Sequence, residues 1–222
     1  GGSRTVTRAL MHSPFVSLTG DFESHRASLE RRFRKDLDRR RRRLGEFGEL
    51  TFSFTEGGDD LAATLETTFE LEASGWKLEG GTAIISSPMR VAFYSDVARW
   101  AREHGWLTVA FACLDGRPIA VDICIEQGGS VYVLKGGYDP EYRKYGLGFL
   151  LIEETIARAY ANGMDTYELL GDADDYKRHI TSQTRDRVQV RAFGRGPAGY
   201  ARYAGYEHVR PLVKRVLAAR RG

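Results

Sequence analysis

The sequence predicts an α+β protein in which a mixed, mostly antiparallel central sheet is flanked by helices. Three observations lead there. Between Trp106 and Lys135, three apolar segments follow one another across two short glycine turns, the pattern of consecutive hairpins. Long segments on either side of this block carry apolar residues at helical spacing. After the last of these, the chain offers one short strand, a helical turn and a further strand. The strict alternation of a doubly wound sheet is therefore absent.

In chain order, Phe15–Thr19 is a short apolar run suited to an edge strand. Asp21 is the expected N-cap of one helix reaching about Leu44, with Leu29, Phe33 and Leu37 four residues apart. Glu49–Glu56 alternates, with Leu50, Phe52 and Phe54 on one face, and Gly57-Gly58 ends it. Asp59 is the expected cap of a helix to Gly75, in which Leu61, Leu65, Phe69 and Glu72 keep helical spacing. Pro88 opens another helix, with Val91, Tyr94, Val97 and Ala101 on one side and Gly105 as its stop.

Trp106–Leu114 and Pro118–Glu126 then flank Asp115-Gly116, and Ser130–Lys135 follows Gly128-Gly129. A two-residue turn at Asp115-Gly116 sets Cys113 opposite Pro118 and Cys124 opposite Leu107. The two cysteines are thus not partners and read as reduced core residues of a cytoplasmic protein. Gly146–Asn162 is a helix, Thr166–Leu170 a strand, Tyr176–Ile180 a helical turn, Arg187–Phe193 a strand and Pro197–Arg221 a closing basic helix. Residues 1–48 are expected to form an edge strand and basic helix leading in from an upstream portion, and residues 49–222 the main domain. Gly1-Gly2-Ser3-Arg4 has no apolar core behind it and resembles an engineered leader more than a secretory signal.

The 222 residues carry a formal charge of only +3, unevenly spread. Phe22–Leu44 holds nine Arg and one Lys against two Glu and two Asp, so this segment can meet phosphate, nucleic acid or an anionic surface. Acids alternate with the bases up to Asp38, and only Arg39–Arg43 is unbroken, so the segment reads first as a solvated helix face. No apolar run approaches the ~20 residues of a membrane helix. No His/Cys cluster has metal-ligand spacing, and no Gly-x-Ser-x-Gly elbow marks a serine hydrolase.

The most informative segment is Arg143-Lys144-Tyr145-Gly146-Leu147-Gly148, between a strand and a helix. The first turn of a helix has unpaired N–H groups and a partial positive charge, so it attracts phosphate. Glycines allow the backbone close to the anion, and Arg143 and Lys144 add charge. On its own this pattern also fits a tight strand-to-helix turn.

In its context, the loop resembles the pyrophosphate signature Gln/Arg-x-x-Gly-x-Gly/Ala of the GNAT superfamily, matched here by Arg143, Gly146 and Gly148. The resemblance covers about Glu49 to Phe193. Trp76-Lys77, Phe93-Tyr94, Gly116–Ala120, Tyr138-Asp139-Pro140 and Gly171 with Tyr176-Lys177 are further similar to the FemAB-related branch. That branch includes acetyltransferase-like proteins associated with cellulose biosynthesis and the peptidoglycan aminoacyltransferases.

The resemblance implies a GNAT fold and direct attack of an amine on acetyl-CoA or another acyl-CoA, without metal. The acceptor would be a sugar, an amino acid or a cell-envelope precursor. It implies a sheet splayed between Ser130–Lys135 and Thr166–Leu170. The donor would lie against Leu134, Lys135 and Gly136 and against Arg143, Lys144, Tyr145, Gly146, Leu147 and Gly148. Tyr176 is placed where such enzymes protonate a thiolate, Lys177 where it meets a phosphate or carbonyl. Glu126, Asp122 and Asp172 are candidate bases, and Trp76, Lys77 and Phe93 candidate acceptor contacts. Each of these residues also has an ordinary structural explanation as a core aromatic or a surface charge. True FemAB enzymes use aminoacyl-tRNA, so tRNA is the alternative donor, and a GNAT-shaped module that binds without turnover is a third reading.

Overall fold

The computed structural model describes residues 4–74 and 80–209. Two compact units divide the chain, one of Ser13–Thr184 and one combining Gly1–His12 with Arg185–Gly222.

In the larger unit the strands are the end of β1 (Arg4–Ser17), β2 (Leu50–Thr55), β3 (Leu107–Leu114), β4 (Arg117–Gln127), β5 (Ser130–Tyr138) and β6 (Thr166–Glu168). Their spatial order is β2-β3-β4-β5-β6-β1, antiparallel throughout except for the parallel β5–β6 pair. The helices are α1 (Phe22–Ser28), α2 (Arg31–Gly45), α3 (Leu61–Ala73), α4 (Pro88–Glu103) and α5 (Leu147–Ala161). This is the mixed, mostly antiparallel sheet with flanking helices that the sequence predicts.

All eight residues of β3 are buried, as expected of a central strand covered on both faces. One face packs Leu65 and Phe69 of α3 and Ala98 and Ala101 of α4 on Val109, Phe111, Val121 and Ile123. The other packs Leu37 and Leu44 of α2 and Leu147, Leu150 and Leu151 of α5 on Ala110, Ala112 and Ala120. The alanines on this second face leave room for helices to lie close to the sheet.

Several elements differ from the sequence reading. The single helix expected from Asp21 to Leu44 is two, because Leu29 and Glu30 take extended ψ angles of 153° and 129°. Ser28 donates its hydroxyl to the His25 carbonyl there, a local bond that competes with helix continuation. Asp60 rather than Asp59 caps α3, accepting from the Ala63 amide at 3.0 Å. β1 begins at Arg4 rather than Phe15.

Cys113 does face Pro118, but Cys124 faces Thr108 and not Leu107. The turn itself is as expected, with Asp115 and Gly116 both at positive φ, 50° and 78°. A bulge then skips Ile119 and moves the register by one residue. Both cysteines are free and buried.

An ionic clasp ties α1 and α2 to α5. The buried Glu153 carboxylate accepts from Arg26 Nε at 2.8 Å and from Arg41 Nη2 at 3.0 Å. Arg26 also meets Asp38, and Arg41 meets Glu154 at 2.7 Å. The basic helix is therefore built into the larger unit.

In the smaller unit, β7 (Thr184–Phe193) neighbours β1 in strand order, and α6 (Pro197–Ala204) is followed by a single π-helical turn, Gly205–Val209. Described residues of the expected closing helix thus leave α-geometry at Ala204; those after Val209 lie outside the described residues. Arg4 stacks 4.3 Å above the Tyr200 ring, and Arg8 4.7 Å above Tyr206.

Removing one member of a largely buried ionic cluster leaves the others uncompensated. Glu153→Ala is expected to destabilise the chain by about 2 kcal/mol, discounted for the partial exposure of Arg26 and Arg41. Arg26→Ala and Arg41→Ala should each cost less, because one arginine still serves Glu153. Urea unfolding of the three variants measures the order.

Candidate functional site

The site begins where two parallel strands part. β5 and β6 pair only through Ser130–Tyr132 and Thr166–Glu168. β6 then ends, the Leu169 amide turns to the Pro14 carbonyl at 3.1 Å, and Leu170 takes a positive φ of 49°. The ladder stops at Tyr132 and Glu168, and a wedge opens toward the carboxyl end of β5.

β5 bulges inside this wedge. Cys124 pairs with Val133 and Ile123 with Lys135, so Leu134 is the extra residue with no partner on β4. A bulge of this kind bends the strand and re-aims its backbone groups. Next to it, the Asp122 side chain on β4 occupies the space above Gly136, where any β-carbon would overlap a carboxylate oxygen. Asp122 is buried, and its charge acts on Tyr176.

The glycine loop follows β5 at the same end of the sheet. Asp139 starts a 3-10 turn, Pro140–Tyr145, by accepting from the Glu141 amide at 3.0 Å, and also meets Arg117 at 2.6 Å. Tyr145 and Leu147 turn their side chains into the core, fixing the loop from beneath. Gly146 between them has φ 58° and ψ 45°, and α5 starts behind it without a side-chain cap. The Leu147 and Gly148 amides are thus unspent first-turn donors at the positive end of the helix. A β-carbon on Gly148 would meet nothing within 4 Å, so the helix start faces open space. Arg143 and Lys144 are exposed beside it.

A third segment closes the site. After β6, Lys177 turns inward and is only 5% exposed. Its ammonium donates to the carbonyls of Leu170 and Asp172, both at 2.8 Å, and meets the Asp174 carboxylate at 3.1 Å. All three of its donors therefore meet protein oxygens and fix the loop that carries Tyr176. Tyr176 stays half-exposed, its ring 6.2 Å from that of Phe149 on α5. Burial first, then the charges of Asp174 and Asp122, push its hydroxyl up to about 12.

The remaining sequence-predicted residues are distributed differently. Asp172 is exposed and accepts from the Ala173 amide, as a turn carboxylate does. Glu126 lies toward the closed end of the wedge, opposite Val131, and is held by Arg158. Lys135 lies on the α3 side of the sheet, 2.9 Å from the buried Glu72 carboxylate and 3.3 Å from the Thr82 carbonyl. Phe93 stands exposed on α4 against Tyr94. Trp76 and Lys77 lie outside the described residues.

Sequence reasoning missed Arg40 and the aromatic group behind it. The Arg40 guanidinium lies against the Cα of Gly146, so that a β-carbon there would overlap Nη1. Phe33 of α2 stacks on His179 at 5.3 Å, and both rings contact Phe149. The available signal was the four-residue spacing of Asp36 and Arg40, which fixes an arginine on a helix. Glu72 carried a signal too, as an acid in the apolar stripe of α3.

A splayed sheet with an uncapped, glycine-initiated helix at its open end defines an acyltransferase of GNAT type, a fold that in general takes acyl-CoA as co-substrate. The acetyltransferase (GNAT) domain profile matches residues 31–178, and the chain belongs to that family. No curated protein sequence matches it. Among solved structures, FemX is similar with TM-score 0.56 and 13% identity, over 74% of this chain and 54% of FemX. The C-terminal domain of a putative lysylphosphatidylglycerol synthetase from Agrobacterium fabrum gives 0.55 and 12%, over 89% of this chain and 64% of that one. A conserved protein of unknown function from Bacteroides thetaiotaomicron gives 0.56 and 9%, over 85% and 62%. The chain thus spans less than two thirds of each, and these likenesses concern the fold. Among the described residues there is no cluster of three potential metal ligands, and no helix long and apolar enough to cross a membrane.

Gly146→Ala meets both the left-handed backbone angle and the Arg40 guanidinium. A loss of about 1–2 kcal/mol is expected from the backbone alone, with the steric overlap adding to it. Adding Arg40→Ala should relieve only the steric part. Denaturant unfolding of the single and double variants separates the two.

Proposed function

We propose that the chain transfers an acyl group, most simply acetyl, from acyl-CoA to an amine by direct attack. One observation supports this above others: the parted strands, the Leu134 bulge and the unspent amides at Leu147 and Gly148 share one end of the sheet. The helix start and Arg143 hold the donor pyrophosphate. The pantetheine arm then lies in the wedge, with the thioester carbonyl accepting from the Leu134 amide, where developing negative charge is stabilised.

The amine nitrogen attacks the thioester carbon while Asp122 takes its proton. The C–S bond then breaks, and Tyr176 gives its proton to the departing sulfur. A hydroxyl held near 12 is protonated throughout the neutral range, ready to donate. Lys177 is a positioning residue that keeps the Tyr176 loop in shape. The amine enters from the α3 side, past Lys135, whose ammonium is held by the buried Glu72 carboxylate, and the acceptor is a sugar, an amino acid or a cell-envelope precursor. The resemblance of Gly116–Ala120, Tyr138-Asp139-Pro140 and Gly171 with Tyr176-Lys177 to the FemAB-related branch is what favours an acceptor of the cell envelope.

Calorimetric titration with acetyl-CoA and free CoA tests the donor. Gly148→Leu serves as the blocking variant, because the added side chain enters open space in front of the helix and not the core. Micromolar binding by the unaltered chain, lost in Gly148→Leu at unchanged thermal stability, is the expected result. Absence of binding to either ligand would remove acyl-CoA as donor and turn the search to aminoacyl-tRNA.

Tyr176→Phe is expected to lower kcat by roughly 10²-fold or more while leaving donor affinity intact, the usual scale for a lost general acid. Because the Tyr176 hydroxyl is raised above its ordinary value of about 10, no alkaline fall in rate should arise from it between about pH 7 and 10. The pH–rate profiles of the chain and the variant, compared over that range, are the check.

A further inference from the structure

We infer that Arg40, on the basic helix α2, is a built part of the donor site and binds the second phosphoryl group of a pyrophosphate-bearing donor. The inference rests on the acyl-CoA reading above and adds to it a residue outside the glycine loop, from a helix about a hundred positions earlier in the chain.

The geometry is specific to this arginine. Asp36, one turn earlier, accepts from Arg40 Nε at 2.5 Å, which fixes the plane of the guanidinium. The Nη1 end lies against Gly146, and the Phe149 ring is 6.0 Å from Cζ. The group is three-quarters buried, at 26% exposure. Its helix is held in place independently by Arg41 on Glu153 and by Leu37 and Leu44 in the core. Arg39 also contacts Asp36 but is more than half exposed.

A pyrophosphate has two charged groups and the helix start has one cluster of amides. The Leu147 and Gly148 amides serve one phosphoryl group, as helix starts generally do. A planar guanidinium whose Nε is already committed presents its remaining N–H groups as a fork suited to the other. Since Asp36 and the packing against Gly146 already order the side chain, little conformational freedom is lost on binding. Gly146 is then required twice, for its backbone angle and for the space Arg40 occupies.

The experiment compares three ligands with equal pantetheine arms. CoA and dephospho-CoA carry the pyrophosphate, with and without the 3′-phosphate, and 4′-phosphopantetheine carries one phosphoryl group. Affinities are measured by calorimetry, or by competition where weak, at fixed ionic strength. Arg40→Ala is expected to weaken CoA and dephospho-CoA at least tenfold and to leave 4′-phosphopantetheine within about threefold. Arg40→Lys should recover part of the loss, and Asp36→Asn should show a smaller loss confined to the two pyrophosphate ligands. Arg39→Ala, which removes a charge from the same helix, should leave all three within about threefold.

Unchanged CoA affinity in Arg40→Ala overturns the inference. So does an equal loss for all three ligands, which would mean Arg40 only shapes the loop. Equal effects of Arg39→Ala and Arg40→Ala would reduce it to diffuse charge, and a loss confined to CoA would assign Arg40 to the 3′-phosphate instead. All four outcomes leave the acyl-CoA reading standing. If the unaltered chain binds neither CoA nor dephospho-CoA, that reading fails and this inference falls with it.

Discussion

Parallel strands that pair for three residues and then separate impose a constraint on everything nearby. Backbone polar groups released from a ladder need other partners or solvent. Here β5 bulges at Leu134, and β6 turns away through Leu169 to Pro14 and a left-handed Leu170. The glycine loop after one strand and the Lys177 clasp after the other both sit at the open end. In the proposed acyl transfer, that separation is what admits the donor.

Charge is used in two ways around the opening. Glu153, Arg26 and Arg41 form a structural cluster that joins the amino-terminal helices to α5. Arg40, one residue before Arg41, faces another direction and meets the glycine loop. Successive residues of a helix are separated by about 100° around its axis, so a run of arginines in sequence is not a single surface in space. Lys177 makes a related point. Its burial and three oxygen partners place a charged side chain in service of backbone shape.

Much of the fold was legible because local rules agreed with one another. Asp115-Gly116 between alternating segments marked the hairpin, Pro88 and Gly105 bracketed α4, and Gly146 marked the start of α5. The failures were tertiary or short-range competitions that periodicity does not report. The bulge at Ile119 moved Cys124 by one partner, and the Ser28 hydroxyl helped end a helix whose apolar spacing continued past it. At the candidate site, the glycine loop was readable because Gly146 and Gly148 mark a strand-to-helix turn with first-turn amides, a signal carried by the backbone. Glu126 was not, because strand residues look alike until pairing shows which end of the wedge they occupy. Arg40 was hidden among similar neighbours, distinguishable only through Asp36.

The burial of the two cysteines has a practical side. Cys113 and Cys124 are both enclosed, and burial raises both thiols above their ordinary range, so thiolate is scarce at either. To a maleimide or iodoacetamide the folded larger unit is nearly thiol-free without any engineering. A single cysteine introduced on an open surface would therefore be labelled selectively, with the native pair left intact. Glu141, exposed in the 3-10 turn that precedes the glycine loop, offers such a position beside the candidate site without filling the space in front of the helix. A fluorophore attached there would report ligand arrival in real time, on a protein that needs no prior removal of its own sulfur.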